Sequence, residues 1–305
     1  MQENEIILEL PADFSLGRLT VYLEGRSDPE AVVEAKGRVR APSTAKLFLD
    51  LSQEICDDLR RLHLVPNTLL ANGVRFVRKR IQDAQLGQLR EVQGLSTLVV
   101  SSCGVIRTEQ LRDVGNVDSL EHLDLSGTEL DSSDFSWLVQ FPRLKWLSFS
   151  GCSVDEKCLE PLLRLPLIEH LDLGHARMND EAVQLLWSFP KLTTLILASS
   201  DVGDRAWRGM AECHSLCSIQ LPNTHITDVG IETIVNQSEL GSLPLRTLVL
   251  RNCQITDKSV VRLSSVESLR LLDLWGTAVT ANGVAFMKEN KPGCTVIVER
   301  LKGPS

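Results

Sequence analysis

One phrase recurs along most of this chain: L-x-x-L-x-L, a small residue three places later, an apolar residue after that, and then a segment able to form a helix. A well-kept copy runs from Ile168 to Asp180, with Ile168, Leu171 and Leu173 in the apolar places, then Ala176, Met178 and the pair Asn179-Asp180. Full copies start at Leu95, Leu120, Leu144, Ile168, Leu192, Leu216, Leu245 and Leu269. A degenerate first copy is expected at Val74-Arg75-Phe76-Val77, and Cys294 to Val298 read as a truncated last strand. Successive starts from position 74 differ by 21, 25, 24, 24, 24, 24, 29, 24 and 25 residues, too regular for chance.

The period has a physical cause. Three apolar residues point inward from a short strand, and parallel strands need a return path on the opposite face, here expected to be a helix. The small residue (Cys103, Thr128, Cys152, Ala176, Ser200, Thr224, Cys253, Thr277) marks where the backbone turns inward and a bulky side chain would not fit. The apolar residue two later is Val105, Leu130, Val154, Met178, Val202, Ile226, Ile255 or Val279. Asn179-Asp180, Thr227-Asp228, Thr256-Asp257 and Thr280 read as helix caps. The 29-residue copy carries about five extra residues, Gln237 to Gly241, expected on a surface loop.

The first 65 or so residues do not follow the phrase. Leu19 to Leu23, Gly37 to Arg40 and Lys46 to Leu51 alternate like strands, Pro29 to Ala35 reads as a short helix, and Asp57 to Leu64 as another. Stacked coils leave the apolar end of the first one open, so residues 1–68 are expected to be a small α+β cap, and 69–305 an array of about nine repeats.

Composition narrows the functional classes. The 40 acidic against 32 basic residues give a formal net charge of −8, which argues against a nucleic-acid footprint; the longest basic cluster is Arg75, Arg78, Lys79 and Arg80. No apolar run approaches the roughly 18 residues of a membrane span, and the acidic N-terminus does not read as a signal peptide. The eight cysteines are scattered without paired spacing, so free thiols and a cytoplasmic location are expected. No Gly-rich turn is followed by Lys-Ser or Lys-Thr, and no cofactor is expected.

With its clearest phrase at Ile226-Thr227-Asp228-Val229-Gly230, the pattern resembles the leucine-rich-repeat superfamily, in its helix-bearing bacterial or cysteine-containing kinds. The resemblance covers roughly residues 70 to 300. It implies an α/β, right-handed solenoid (a horseshoe) with a parallel sheet on the concave face and helices outside. It also implies a non-catalytic protein-binding function, and the regular 24-residue repeat favours a bacterial source. Leu10-Pro11-Ala12-Asp13-Phe14 is a poor match to an F-box. A recognition subunit of an effector or ubiquitin-ligase-like assembly, acting through the N-terminal segment, is the alternative.

In this frame the third, fifth and seventh residues of each copy face outward. His122, Asp124, Trp146, Ser148, His170 and Asp172 form a central patch, and Asp273 and Trp275, with Leu271 and Arg251, form a second cluster. Exposed Trp, His and Asp beside small residues suit a protein contact, because aromatic anchors dominate binding energy. The ordinary alternative is a solvated sheet. The two His-x-Asp pairs also raise a shared metal, but they lie two strands apart, about 10 Å at the backbone, with Trp146 and Ser148 between them. A Ser-His-Asp nucleophile lacks an oxyanion pocket on so open a surface. Partner identity and oligomeric state are not expressed in the sequence.

Overall fold

The computed structural model describes residues 5–23, 28–65, 73–81, 86–92, 94–112, 114, 118–131, 135–239 and 243–298, in two compact units, Met1–Ser148 and Phe149–Ser305.

The first unit opens with β1 (Glu5–Glu9), β2 (Gly17–Tyr22), β3 (Ala31–Glu34), β4 (Arg38–Pro42) and β5 (Lys46–Leu51). β1 and β4 pair antiparallel, and β2 lies antiparallel between β3 and β5. β5 alternates, with Leu47, Leu49 and Leu51 buried, and pairs in parallel with β6 (Val74–Val77). The N-terminal strands and the repeats therefore share one sheet. β7 (Thr97–Ser101) follows, then a small parallel pair β8 (Val105–Ile106) and β10 (Glu129–Leu130), and β9 (His122–Asp124) and β11 (Trp146–Ser148) continue the main sheet.

Five expectations need correction here. Residues 31–34 are a strand, not part of a helix: the β-branched Val32 and Val33 take the ladder that β2 offers, which outweighs the Pro29 signal. Asp57 to Leu64 is not one helix; Gln53–Cys56 forms a single α turn capped by Ser52, and Leu59–Leu64 is 3-10. The first copy is framed three residues earlier than its letters suggested, because Val74 pairs with Leu98 and Phe76 with Val100. Phe76 is consequently buried, and Arg75 and Val77 take the outward places assigned to Arg78 and Arg80. In the second copy Ile106, not Val105, points inward, because this copy has an extra residue before its return path.

In the second unit β12 (His170–Asp172), β13 (Thr194–Ile196), β14 (Ser218–Gln220), β15 (Thr247–Val249), β16 (Leu271–Asp273) and β17 (Thr295–Ile297) form a parallel series in chain order. Helices were expected on each return path, but the first unit uses Leu86–Glu91, Thr108–Arg112 and Ser136–Gln140, two of them 3-10. Among the described residues the longest helices are Asp228–Glu239, Asp257–Leu263 and Ala281–Asn290. The extra residues of the long copy, expected on a surface loop, instead prolong Asp228–Glu239 as far as residue 239; Leu240 and Gly241 lie outside the described residues.

Each coil turns at a fixed place. The eighth residue of the phrase adopts left-handed φ, at Arg78, Ser102, Gly127, Gly151, His175, Ser199, Asn223, Asn252 and Gly276. A non-glycine residue there costs about 1 kcal/mol. The gain is a hydrogen bond to the next coil: Ser102 N–H donates to Ser126 O (2.8 Å), Ser199 N–H to Pro222 O (2.8 Å) and Asn252 N–H to Trp275 O (2.8 Å). The small ninth residue can return a hydroxyl or thiol to a carbonyl, as Ser200 does to Leu197 O (2.7 Å) and Cys103 to Phe76 O (3.2 Å). Burial pushes thiols up: Cys56 to about 12 and Cys213 to about 11.

The Thr-Asp pairs tie coils together rather than merely capping. Asp204 accepts from Thr227 N–H (2.8 Å) and hydroxyl (2.7 Å) in the following coil. Asp228 does the same for Thr256 (3.0 and 2.6 Å), and Asp257 for Thr280 (2.8 and 2.6 Å). Asp180 accepts Gly203 N–H (2.6 Å). Thr280 was expected to cap its helix, yet its side chain makes no cap bond; its hydroxyl donates to Asp257.

Candidate groove on the open face of the first unit

Register decides which side chains meet on the face that the return paths leave open. Phe48, Gly73, Thr97, His122 and Trp146 stand in one row across β5 to β11; Asp50, Arg75, Val99, Asp124 and Ser148 stand in the next. His122 and Trp146, directly opposite, stack with ring centroids 3.8 Å apart and planes 8° from parallel. At the other end Tyr22 meets Phe48 edge to face at 5.5 Å. Gly73 makes room between them: a β-carbon there would fall 2.8 Å from Thr97 Cβ and 2.9 Å from Phe48 Cδ1.

The result is a groove of about 430 Å³, walled by Tyr22, Phe48, Arg75, Val77, Thr97, Val99, Ser101, His122, Asp124 and Trp146. Arg75 Nε lies 2.7 Å from Asp50 Oδ1, Thr20 donates to Asp50 Oδ2 (2.9 Å), and the guanidinium sits 6.0 Å from the Phe48 ring centre. The groove is thus aromatic at both ends, with a fixed ion pair in its floor. Aromatic walls of this kind hold apolar and aromatic side chains.

The aspartates of the His-x-Asp pairs have structural work. Asp124 accepts from Ser126 N–H (2.8 Å) and hydroxyl, and Ser126 Oγ lies 2.8 Å from Ser148 Oγ. In the second unit Asp172 accepts Gly174 N–H (2.9 Å) and Asp273 accepts Trp275 N–H (3.1 Å). Each carboxylate closes the turn at its own strand's end. Two residues expected on the surface are therefore buried: Ser148, locked in the Asp124 network, and Asp273, 2% exposed beneath Arg251 at 2.6 Å. Trp275, 43% exposed, keeps its outward place, with Leu271 half-buried nearby on the same face. His170 is half-buried, and burial pushes its pKa down to about 4. His122, Asp124, Trp146 and Ser148 belong to the first unit, and His170, Asp172, Asp273 and Trp275 to the second. Among the described residues no three His, Cys, Asp or Glu side chains gather in a way that could hold a metal ion. No helix of the described residues is long and apolar enough to cross a membrane.

Tyr22, Phe48 and Arg75 escaped the sequence reading. Tyr22 and Phe48 alternate with buried residues of β2 and β5, a signal that was available, whereas the slipped frame of the first copy hid Arg75.

Residues 241–264 match a family model described as Leucine Rich repeat. No curated protein matches the chain. Among solved structures it is similar to an internalin C2 of Listeria monocytogenes, at 20% identity and a TM-score of 0.51 over 70% of this chain and 84% of that one. A leucine-rich-repeat protein of Leptospira interrogans matches at 14% identity and a TM-score of 0.54, over 81% of this chain and 57% of that one. The mouse RP105/MD-1 complex matches at 22% identity and 0.54, over 77% and 39% respectively. At such identities the likeness is one of fold.

Proposed function

The chain is a leucine-rich-repeat protein, and from that premise we propose that it is a non-catalytic binding module whose groove on the open face of the first unit grips a protein partner. Proteins of this fold generally mediate protein–protein interaction, and one of the similar structures is itself a complex, that of mouse RP105 with MD-1. The observation that carries the reading is the His122–Trp146 stack facing Phe48 and Tyr22 across one groove. None of these four rings is buried in the core, so fold stability does not account for four aromatic groups on one open face. Tyr and Trp in such a place supply large, rigid contact area. The N-terminal strands contribute Tyr22 and Phe48, so in this proposal residues 1–68 bind as well as cap. The buried thiols suit a reducing compartment, and the proposal includes a cytoplasmic location.

The test compares pull-downs from source lysate by the wild type, a Trp146→Ala/His122→Ala variant and a Trp275→Ala variant, all shown to melt at the same temperature. A partner held by the wild type and Trp275→Ala but lost by the double variant supports the groove. A partner lost only with Trp275→Ala moves binding to the second unit and overturns the proposal.

A further inference from the structure

We infer that the C-terminal end of the open face of Phe149–Ser305 docks a second partner, through an acidic segment that carries an apolar or aromatic residue. A buried carboxylate builds the site. Asp273, 2% exposed, commits both its oxygens: Oδ2 accepts from Arg251 Nε (2.6 Å) and Oδ1 from the Trp275 N–H (3.1 Å). One group thus fixes a guanidinium and the backbone of a tryptophan. Arg251 is 51% exposed, and its two terminal nitrogens donate to no acceptor among the described residues. Trp275 is 43% exposed, with Val249 and Leu271 half-buried on the same face. Arg and Trp are the side chains that most often dominate a protein contact, and a guanidinium already held loses less freedom on binding.

The charges at this end are few. In residues 216–223, 245–252, 269–276 and 294–298, which hold β14 to β17, they are Arg246, Arg251, Arg270 and Asp273. Asp273 is spent on Arg251. Arg246 and Arg270 are exposed neighbours, joined by Arg270 N–H to Arg246 O (2.8 Å), and neither has a carboxylate partner among the described residues. Arg270 Nη1 donates to the carbonyls of Glu267 (2.7 Å) and Leu269 (3.0 Å), which orients it without cancelling its charge. The corresponding places in two copies of the first unit hold Glu121 and Lys145, paired at 2.8 Å. Two uncompensated cations and a half-used guanidinium, on a chain of net charge −8, select an acidic occupant. Arg246 and Arg251 are five residues apart, up to about 17 Å of extended chain, so the fit is to a segment rather than to a single carboxylate. A second copy meeting this face with its own would set like cations against each other.

The experiment measures binding of fluorescein-labelled octapeptides to the full chain by anisotropy. The probes alternate Leu with Glu, with Gln or with Lys. The Glu peptide is expected to bind saturably and at least tenfold tighter than the other two. Arg246→Glu/Arg270→Glu is expected to abolish that preference and Trp275→Ala to weaken the Glu peptide tenfold or more, both at an unchanged melting temperature because these residues are exposed. The Trp146→Ala/His122→Ala variant of the first unit's groove is expected to leave peptide binding unchanged. Absence of saturable binding, equal binding of the Glu and Gln peptides, or indifference to either second-unit variant overturns the inference. So does loss of peptide binding in the groove variant, or a concentration-dependent dimer abolished by Trp275→Ala. Failure of the groove's own test while the Glu peptide still binds here separates the two sites.

Discussion

In Phe149–Ser305 an aspartate on one coil repeatedly holds a threonine of the next, whereas in Met1–Ser148 the coils are tied in other ways and the open face carries aromatic groups. Asp204, Asp228 and Asp257 each hold a Thr of the following coil, and Asn252 donates to Asn223 Oδ1 (2.8 Å) at the turns. In the first unit the ties between coils are of other kinds: Thr108 N–H donates to Asp131 Oδ1 (2.8 Å), the Thr128 hydroxyl to Val100 O (2.8 Å), and Glu121 accepts from Arg143 (2.9 Å) and Lys145 (2.8 Å). It has shorter return paths, a sheet widened by strands outside the repeat, and a groove. The same phrase thus supports two uses: where copies stay regular the coils are stapled, and where they adjoin other strands the outward rows become a surface.

Four outcomes would break or sharpen that comparison. The largest effect is expected from Trp207→Ala in the second unit. Trp207 is fully buried, 5.6 Å from Trp187, and its loss should cost about 3–5 kcal/mol in chemical denaturation. Next, Asp228→Ala strands Thr256 N–H and the hydroxyls of Thr256 and Ser259, and should cost about 2–3 kcal/mol. The equivalent loss at Asp131 should be smaller; an equal loss would deny that the units differ.

A third outcome is a pH dependence. His170 is held neutral by burial, with a folded pKa of about 4 against 6.5 when unfolded. The unfolded chain therefore binds the extra proton between these values, so stability is complete above about pH 6.5 and falls as pH drops towards 4. Allowing for the solvent His170 still meets, the loss is about 1–2 kcal/mol, and His170→Asn should flatten it. Asp228, held below its usual range by the Ser259 and Thr256 hydrogen bonds despite its burial, adds a further loss below about pH 4. The smallest effect on folding belongs to Trp146→Ala, expected to cost less than about 1 kcal/mol because the ring packs on an open face. Partner binding should nevertheless weaken tenfold or more, and a large stability loss without a binding defect would make the stack structural.

The repeat and its inward residues were legible because burial imposes a period on the letters. Asp228 and Asp257 were visible in Thr-Asp pairs but not as staples, since the threonines that donate to such aspartates lie a whole coil away in sequence: 23 residues for Asp204 to Thr227 and 28 for Asp228 to Thr256. Ser148 and Asp273 were misjudged for a related reason. Alternation says which face a side chain leaves from, but not whether a neighbour such as Arg251 then covers it. Phe76 was misassigned because Val74-Arg75-Phe76-Val77 imitates the start of the phrase, and only pairing with Leu98 and Val100 sets the frame.

The sequence by itself determined the coil: inward apolar residues at fixed spacing, small residues at the turn and parallel strands joined by return paths, all consequences of local sterics and burial. Only the tertiary structure decided that Tyr22 and Phe48 share a groove with His122 and Trp146 and that β3 ends the sheet among the described residues. Those relations depend on strand register between segments up to 124 residues apart, from Tyr22 to Trp146, and register is a property of the assembled sheet rather than of any stretch of the chain.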